Sequence, residues 1–338
     1  MLHDHRHFPH PRSSTRHPFP SPLTSPGSSG TPRSDLTAYA TARGGRARAL
    51  GKVEAFNPLF SVKDRIAAAL IRQGEESGAL KPGSLIVDVT GGNTGVALAG
   101  IAAARGYRTK FYQGDTTSPT KRRILEALGS EIIPTDNSIF LAPEGLEKLV
   151  ETIKAENPDS YFTDQLGNPV NRATHYGTTG PEIWRDTHGE VDVLVGGVGT
   201  GSTVSGAGRF LKDRRADVKV VVAEPGETSL PTEEKLNPDA EIGGVHKVAG
   251  LEDEQLPPNY DLTIAYEIVP VEAADAWATA RAVFRGTGLF VGASAGASLT
   301  VAAELAARPE YEGATIVAVL PDAGKRYLSA GVFDDPDA

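Results

Sequence analysis

The 338-residue chain has no cysteine, a single methionine and two tryptophans. The lack of cysteine removes disulfides, cysteine-ligated zinc or haem, and thiol nucleophiles from consideration. No apolar run is long enough to span a bilayer, although 39% of the residues are hydrophobic, enough for a core. Positive charge is scarce too. Against 34 Lys and Arg stand 43 Asp and Glu, a net charge of −9, which argues against a nucleic-acid binder with its basic face. The length permits two modest domains or one large one.

Residues 1–35 lack hydrophobic periodicity. They hold seven Pro, seven Ser, four Arg and only two Asp, with five of the eight His. This composition predicts a disordered tail. It has no apolar core of a secretory signal, so a cytoplasmic location is expected. Arg and Ser richness has some transit-peptide character, which the density of Pro opposes. His3, His5, His7 and His10 are spaced for loose metal binding, but a fortuitous polar tail accounts for them, and no metal site is expected.

From Val53 onward short β-branched runs alternate with helical patterns, the signature of parallel sheet with helices on both faces. Strands are expected at Leu85–Val89, Thr109–Tyr112, Glu131–Pro134, Val191–Val195, Val218–Ala223, Glu267–Val269 and Thr315–Leu320. Helices are expected at Lys63–Glu76, Thr94–Arg105, Thr120–Leu128, Ala142–Asn157, Thr179–Thr187, Val204–Arg214, Val271–Gly286 and Ala295–Ala306. In such sheets the pocket lies beyond the carboxyl ends of the strands.

Lys63 lies where one of these helices should begin. Ser61 suits the N-cap, Asp64 follows three residues on, and Ile66, Leu70 and Ile71 recur at helical spacing. A cation at the positive end of a helix dipole is unfavourable. A desolvated lysine there has a lowered pKa and is a usable amine for Schiff-base chemistry; a solvated lysine near a cap is the plain alternative. Two glycine loops, Thr90-Gly91-Gly92-Asn93-Thr94-Gly95 and Gly196-Gly197-Val198-Gly199-Thr200-Gly201-Ser202-Thr203, each follow a β-branched run and precede a helix. Such loops bind anions through free N–H groups and the helix dipole. Two anion loops and an activated amine suit a cofactor phosphate and a substrate carboxylate. A dinucleotide loop is the rival, with Glu224 as the acid, but the G-x-G-x-x-G spacing fails because Ser202 and Val204 stand where glycine is required.

These segments, together with Ser61-Val62-Lys63-Asp64-Arg65, Gln165-Leu166-Gly167-Asn168-Pro169, Thr178-Thr179-Gly180-Pro181-Glu182-Ile183-Trp184, Gly244-Val245-His246-Lys247, Gly292-Ala293-Ser294-Ala295-Gly296 and the run Leu320 to Ser329, occur in one order between Gly51 and Phe333. The chain thereby resembles the cysteine synthase (O-acetylserine sulfhydrylase) and cystathionine β-synthase family, the fold-type II pyridoxal-phosphate enzymes. The resemblance implies a two-domain α/β fold of the tryptophan synthase β type, each domain an open, mostly parallel sheet flanked by helices. A smaller domain over residues 53–165 would carry Lys63 and Asn93, and a larger one over residues 166–333 the phosphate loop. Pyridoxal 5'-phosphate would be held by Lys63, by Asn93 at its ring oxygen, by Gly199, Thr200, Gly201, Ser202 and Thr203 at its phosphate, and by Ser294 at its ring nitrogen. Thr90, Gly91, Gly92, Thr94 and Gln165 would bind the substrate carboxylate. Ser294 also reads as a helix cap and Asn93 as a turn residue.

The implied reaction is β-replacement on an activated serine, with cysteine synthase leading and cystathionine β-synthase-like, diaminopropionate-synthase-like and cysteine lyase activities as alternatives. The implied partners are a small amino acid, a sulfide or thiol nucleophile, a second copy in a homodimer and a serine acetyltransferase, with no nucleic acid and no membrane. No appended regulatory domain is expected. The chain departs from the family pattern in four places, and all but the Ser202 change leave open a catalytically impaired relative that only binds ligand or partner. Gly91 replaces the usual Ser and Ser202 the usual Gly. Glu252, Asp253 and Glu254 replace small residues that line the mouth. A Gly-Asn-Thr-Pro-Leu signature is missing upstream, so one or two first strands are expected to be absent or replaced.

Overall fold

The computed structural model describes residues 30–114, 117–140, 144–230, 242 and 244–334. The chain opens with β1 (Arg33–Asp35), α1 (Thr37–Thr41) and β2 (Arg48–Val53), then α2 (Lys63–Glu76). A small sheet follows, with β3 (Leu85–Val89), α3 (Asn93–Arg105), β4 (Arg108–Gly114), α4 (Pro119–Ala127), β5 (Glu131–Thr135), α5 (Gly145–Glu156) and β6 (Tyr161–Phe162). After α6 (Val170–Gly177) and α7 (Thr179–Asp186) come β7 (Val193–Gly197), α8 (Ser202–Arg214), β8 (Lys219–Pro225), β9 (Glu267–Val271), α9 (Ala273–Thr287), α10 (Ala293–Ala307) and β10 (Thr315–Leu320).

Two sheets result. The smaller has the order β5-β4-β3-β6 and is wholly parallel. The larger runs β1-β2-β10-β7-β8-β9 and is parallel except for the edge pair β1–β2. β10, Thr-Ile-Val-Ala-Val-Leu, is buried along its whole length, as a central parallel strand covered on both faces must be. Large apolar clusters flank this sheet on both sides, one against α9 and α10 and one against α7 and α8. The small sheet packs α2, α3 and α4 around Ile86 and Phe111.

Strands β1 and β2 stand where first strands were expected to be absent or replaced, so they are not absent. Residues 31–35, assigned to the tail by composition, are ordered. Gly30-Thr31-Pro32 leads into β1, whose Arg33, Ser34 and Asp35 face Lys52, Gly51 and Leu50 of β2. Gly51 lets β2 and β10 pack closely: a Cβ there would come within 2.6 Å of Leu320 Cδ1, and that side chain would have to shift. The larger sheet therefore draws strands from before residue 53, outside the 166–333 segment expected to build it. The remainder of the expected tail, including His3, His5, His7 and His10, lies outside the described residues.

A buried ionic network ties this opening to the helices behind it. Lys52 Nζ lies 2.7 Å from the Glu182 carboxylate, and Arg65 reaches both Glu182 and Glu54, at 2.6 and 2.7 Å. The Thr31 hydroxyl donates to Glu54 at 2.6 Å and accepts from Arg65 at 3.0 Å. Among the described residues, no helix is long and apolar enough to cross a membrane.

Candidate active site

A cavity of about 920 Å³ opens between the carboxyl ends of the two sheets. Lys63 lines it, with residues 90–94 and Gln165 on one side and Gly199, Thr200 and residues 244–247 on the other. Lys63 is the first residue of α2. The cap differs from expectation by one position. Val62 is the N-cap; the Ser61 hydroxyl accepts the Lys63 N–H at 3.3 Å, and the Asp64 carboxylate reaches back to the Leu59 N–H at 2.5 Å. The Val62 N–H donates to the Pro321 carbonyl at 2.8 Å, fixing this turn to the end of β10. Burial pushes the Lys63 amine down to about 8.

The loop 90–94 crosses from β3 to the N-terminus of α3, whose first N–H groups have no carbonyl partner within the helix. The Thr90 hydroxyl accepts the Gly95 N–H at 3.1 Å and shapes the turn. The Thr94 hydroxyl donates to Gln165 Oε1 at 2.5 Å, which joins two of the expected carboxylate ligands. The Asn93 amide donates to Asp322 at 2.7 Å and accepts from Arg326, so its orientation is set by the segment after β10.

The second loop leads from β7 into α8. Gly201 has φ +80° and its Cβ would fall 2.5 Å from Tyr260 Cα, so only glycine fits. Ser202, where the family resemblance led to an expectation of glycine, is the first helical residue of α8 and needs no left-handed backbone. Its hydroxyl meets Thr200 Oγ1 at 2.7 Å. Gly199 and Thr200 line the cavity, whereas Gly201, Ser202 and Thr203 lie behind it. Ser294 is buried in the first turn of α10 and is likewise not among the cavity-lining residues; Gly292, not Ser294, is the N-cap there.

The acids at 252–254 do not line the cavity. They are exposed, in a short turn that Glu252 caps together with Gln255, while Leu251, Gln255 and Leu256 face the mouth. Glu224, the acid of the dinucleotide alternative, is buried and accepts the N–H groups of Val248 and Ala249 at 2.8 and 2.9 Å. It thereby holds the 244–251 segment, whose His246 N–H donates to the Val198 carbonyl at 2.7 Å.

Three supporting residues escaped the sequence reading. His175 on α6 meets Thr179 Oγ1 at 2.8 Å through Nδ1 and Thr203 Oγ1 at 3.2 Å through Nε2. Burial, with the nearby Arg65 and Lys63 charges, lowers it to about 3, so it is neutral and braces the second loop. Asp88 on β3 accepts the Val89 N–H at 2.7 Å and the Thr163 hydroxyl, and burial raises it to about 7. Asp322 bonds Asn93 and Tyr327 Oη, each at 2.7 Å. A lone acid inside the apolar run Leu85–Val89, and the i, i+4 pair His175–Thr179, are the signals that sequence offered.

The residues present fit pyridoxal phosphate. One amine lowered toward neutrality stands between two helix N-termini in a single cavity, and the glycine cradle at 199–201 closes on backbone, where any added Cβ would collide. The fold and site define an α/β enzyme that carries its chemistry on a lysine-held, phosphate-bearing cofactor. The chain belongs to the pyridoxal-phosphate dependent enzyme family, whose model matches residues 24–322. It is 39% identical over 298 residues to cysteine synthase A of Escherichia coli strain K12, covering 86% of this chain and 90% of that one. It is 37% identical to cysteine synthase 3 of Caenorhabditis elegans, covering 86% and 83%. Among solved structures it is similar to cysteine synthase from Entamoeba histolytica, with a TM-score of 0.77, 36% identity and coverage of 92% and 90%. An O-ureido-L-serine synthase superposes with the same TM-score at 34% identity, covering 91% and 93%.

Proposed function

We propose that this enzyme is a cysteine synthase, replacing the β-substituent of O-acetylserine with sulfide to give cysteine and acetate. The observation that carries the reading is the single cavity in which the Lys63 amine stands between the α3 and α8 N-termini. The likeness to curated cysteine synthases supports it. Pyridoxal phosphate, when bound, supplies an electron sink for the charge that develops at the substrate α-carbon. Lys63 is the residue that would hold it. Gly199, Thr200, Gly201, Ser202 and Thr203 would receive its phosphate through backbone N–H groups and hydroxyls. Asn93 and Ser294 are assigned to its ring oxygen and ring nitrogen on the family resemblance.

Thr90, Gly91, Gly92, Thr94 and Gln165 would bind the substrate carboxylate at the positive end of α3. With the carboxylate fixed there, the freed Lys63 Nζ takes the α-proton and later returns it; an amine near pKa 8 suits both transfers. The apolar and amide side chains of Leu251, Leu256 and Gln255 frame the entrance for the nucleophile. We further assign a working state as a cytoplasmic homodimer and an association with serine acetyltransferase, both on the family resemblance, and two lobes, one around each sheet.

Adding O-acetylserine to the yellow holoenzyme should change its absorbance, and adding sulfide should restore the spectrum with release of cysteine. An unchanged spectrum, or a changed one that sulfide does not reverse, would overturn the assignment.

A further inference from the structure

We infer that Thr117 supplies a side-chain hydroxyl to the substrate-carboxylate site, in place of the one that Gly91 lacks. A Cβ built on Gly91 would lie 2.8 Å from Thr117 Oγ1, 2.6 Å from Gln113 Nε2 and 2.5 Å from Gln113 Cγ. The volume of a serine side chain at position 91 is therefore already filled by two residues from the end of β4 and the segment beyond it. Gln113 is buried and turns its amide toward the Gly91 carbonyl, at 3.5 Å. Thr117 is half-exposed and lines the cavity, its N–H held by the Gly114 carbonyl at 3.1 Å. Of the two, only Thr117 presents a hydroxyl to the space in front of the α3 N-terminus.

Position 91 is thus not a vacancy in the loop. A larger residue there would have to displace the Gln113 and Thr117 side chains from the positions they hold. The ligand is the carboxylate of an α-amino acid, so the inference rests on the amino-acid reading given above. A hydroxyl donating to a carboxylate is a charge-assisted bond, stronger than a neutral one.

The test uses the holoenzyme with L-alanine, which has the carboxylate but no leaving group, and L-alaninamide, which lacks the carboxylate. Binding is followed by calorimetry and by the cofactor absorbance. Thr117→Val keeps the shape and removes the hydroxyl; it should weaken L-alanine about tenfold and leave L-alaninamide unchanged. Thr117→Ser, which restores the hydroxyl, should recover the L-alanine affinity. The KM for O-acetylserine should rise in Thr117→Val by the same factor as the L-alanine Kd, with kcat little altered. Unchanged L-alanine binding in Thr117→Val, equal losses for both ligands, or no recovery in Thr117→Ser would overturn the assignment to Thr117. A wild-type enzyme that neither binds L-alanine nor turns over O-acetylserine would instead overturn the amino-acid reading itself.

Discussion

Desolvation alone brings the Lys63 amine down to about 8, with no acid's attraction to offset it. Borohydride reduction of the holoenzyme should fix the cofactor to Lys63, located by peptide mapping. Lys63→Ala should abolish turnover while the 199–203 loop still binds the cofactor; an adduct mapped to another lysine would refute the assignment. Asp88 and His175 set opposed pH dependences. His175 drops from 6.5 to about 3 on folding, so its contribution is complete above pH 6.5 and is lost as pH falls. Asp88 rises from 3.8 to about 7, so its contribution is complete below pH 3.8 and is lost as pH rises. Between roughly pH 4 and 6.5 the two slopes cancel, each about 1.4 kcal/mol per pH unit. Asp88→Asn should leave the His175 slope unopposed, and denaturant titrations should show stability rising with pH across that window more steeply than in wild type. Parallel profiles would refute the pairing. Lys63, the 90–94 loop and the 199–203 loop were legible in sequence because residue type and local spacing suffice to mark an amine and two anion loops. Asp88 and His175 were not, because their roles depend on Thr163 and Thr203, far away in the chain. Ser294 was assigned only through resemblance, and it is not among the residues that line the cavity.

Strands buried on both faces announce themselves as β-branched runs, and seven of the expected strands stand within two or three residues of their predicted ends. β6 escaped because it is two residues long, and β1 because its three polar residues carry no apolar pattern. β2, Arg-Ala-Leu-Gly-Lys-Val, reads as unremarkable until its lysine is seen to be buried against Glu182. That pair governs the behaviour of the opening segment. Lys52→Ala would leave the Glu182 charge with Arg65 alone; truncating one partner of a buried ion pair costs about 3–5 kcal/mol. Denaturant unfolding should register a loss of that order. Removing residues through Asp35, which takes away Thr31 and β1, should also lower the melting temperature, and an unchanged melt would show that the Thr31 contacts contribute nothing.

The cavity draws its walls from both sheets, with 90–94 and 117 on one and 199–200, 244–247 and 255–258 on the other. A cofactor seated there bridges them, and ligand binding confined to the folded state stabilises by mass action, about 2.7 kcal/mol at a hundredfold excess over Kd. Cofactor-free protein should therefore melt lower than holoenzyme, with the difference growing as pyridoxal phosphate is added. Identical melts would mean that the bound group does not report on the folded state.

β10, the last strand among the described residues, sits between β2, the second of them, and β7. On a ribosome the large sheet consequently cannot close until β10 is made. β2 waits for its partner roughly 10 to 50 seconds at ordinary elongation rates, while the small sheet, complete by Phe162, has all its strands much earlier. The nascent chain thus passes from Phe162 to Leu320 as one finished half and one open-edged half. A message broken upstream of residue 315 yields a product with unpaired strand edges, a substrate for quality control rather than a shortened enzyme.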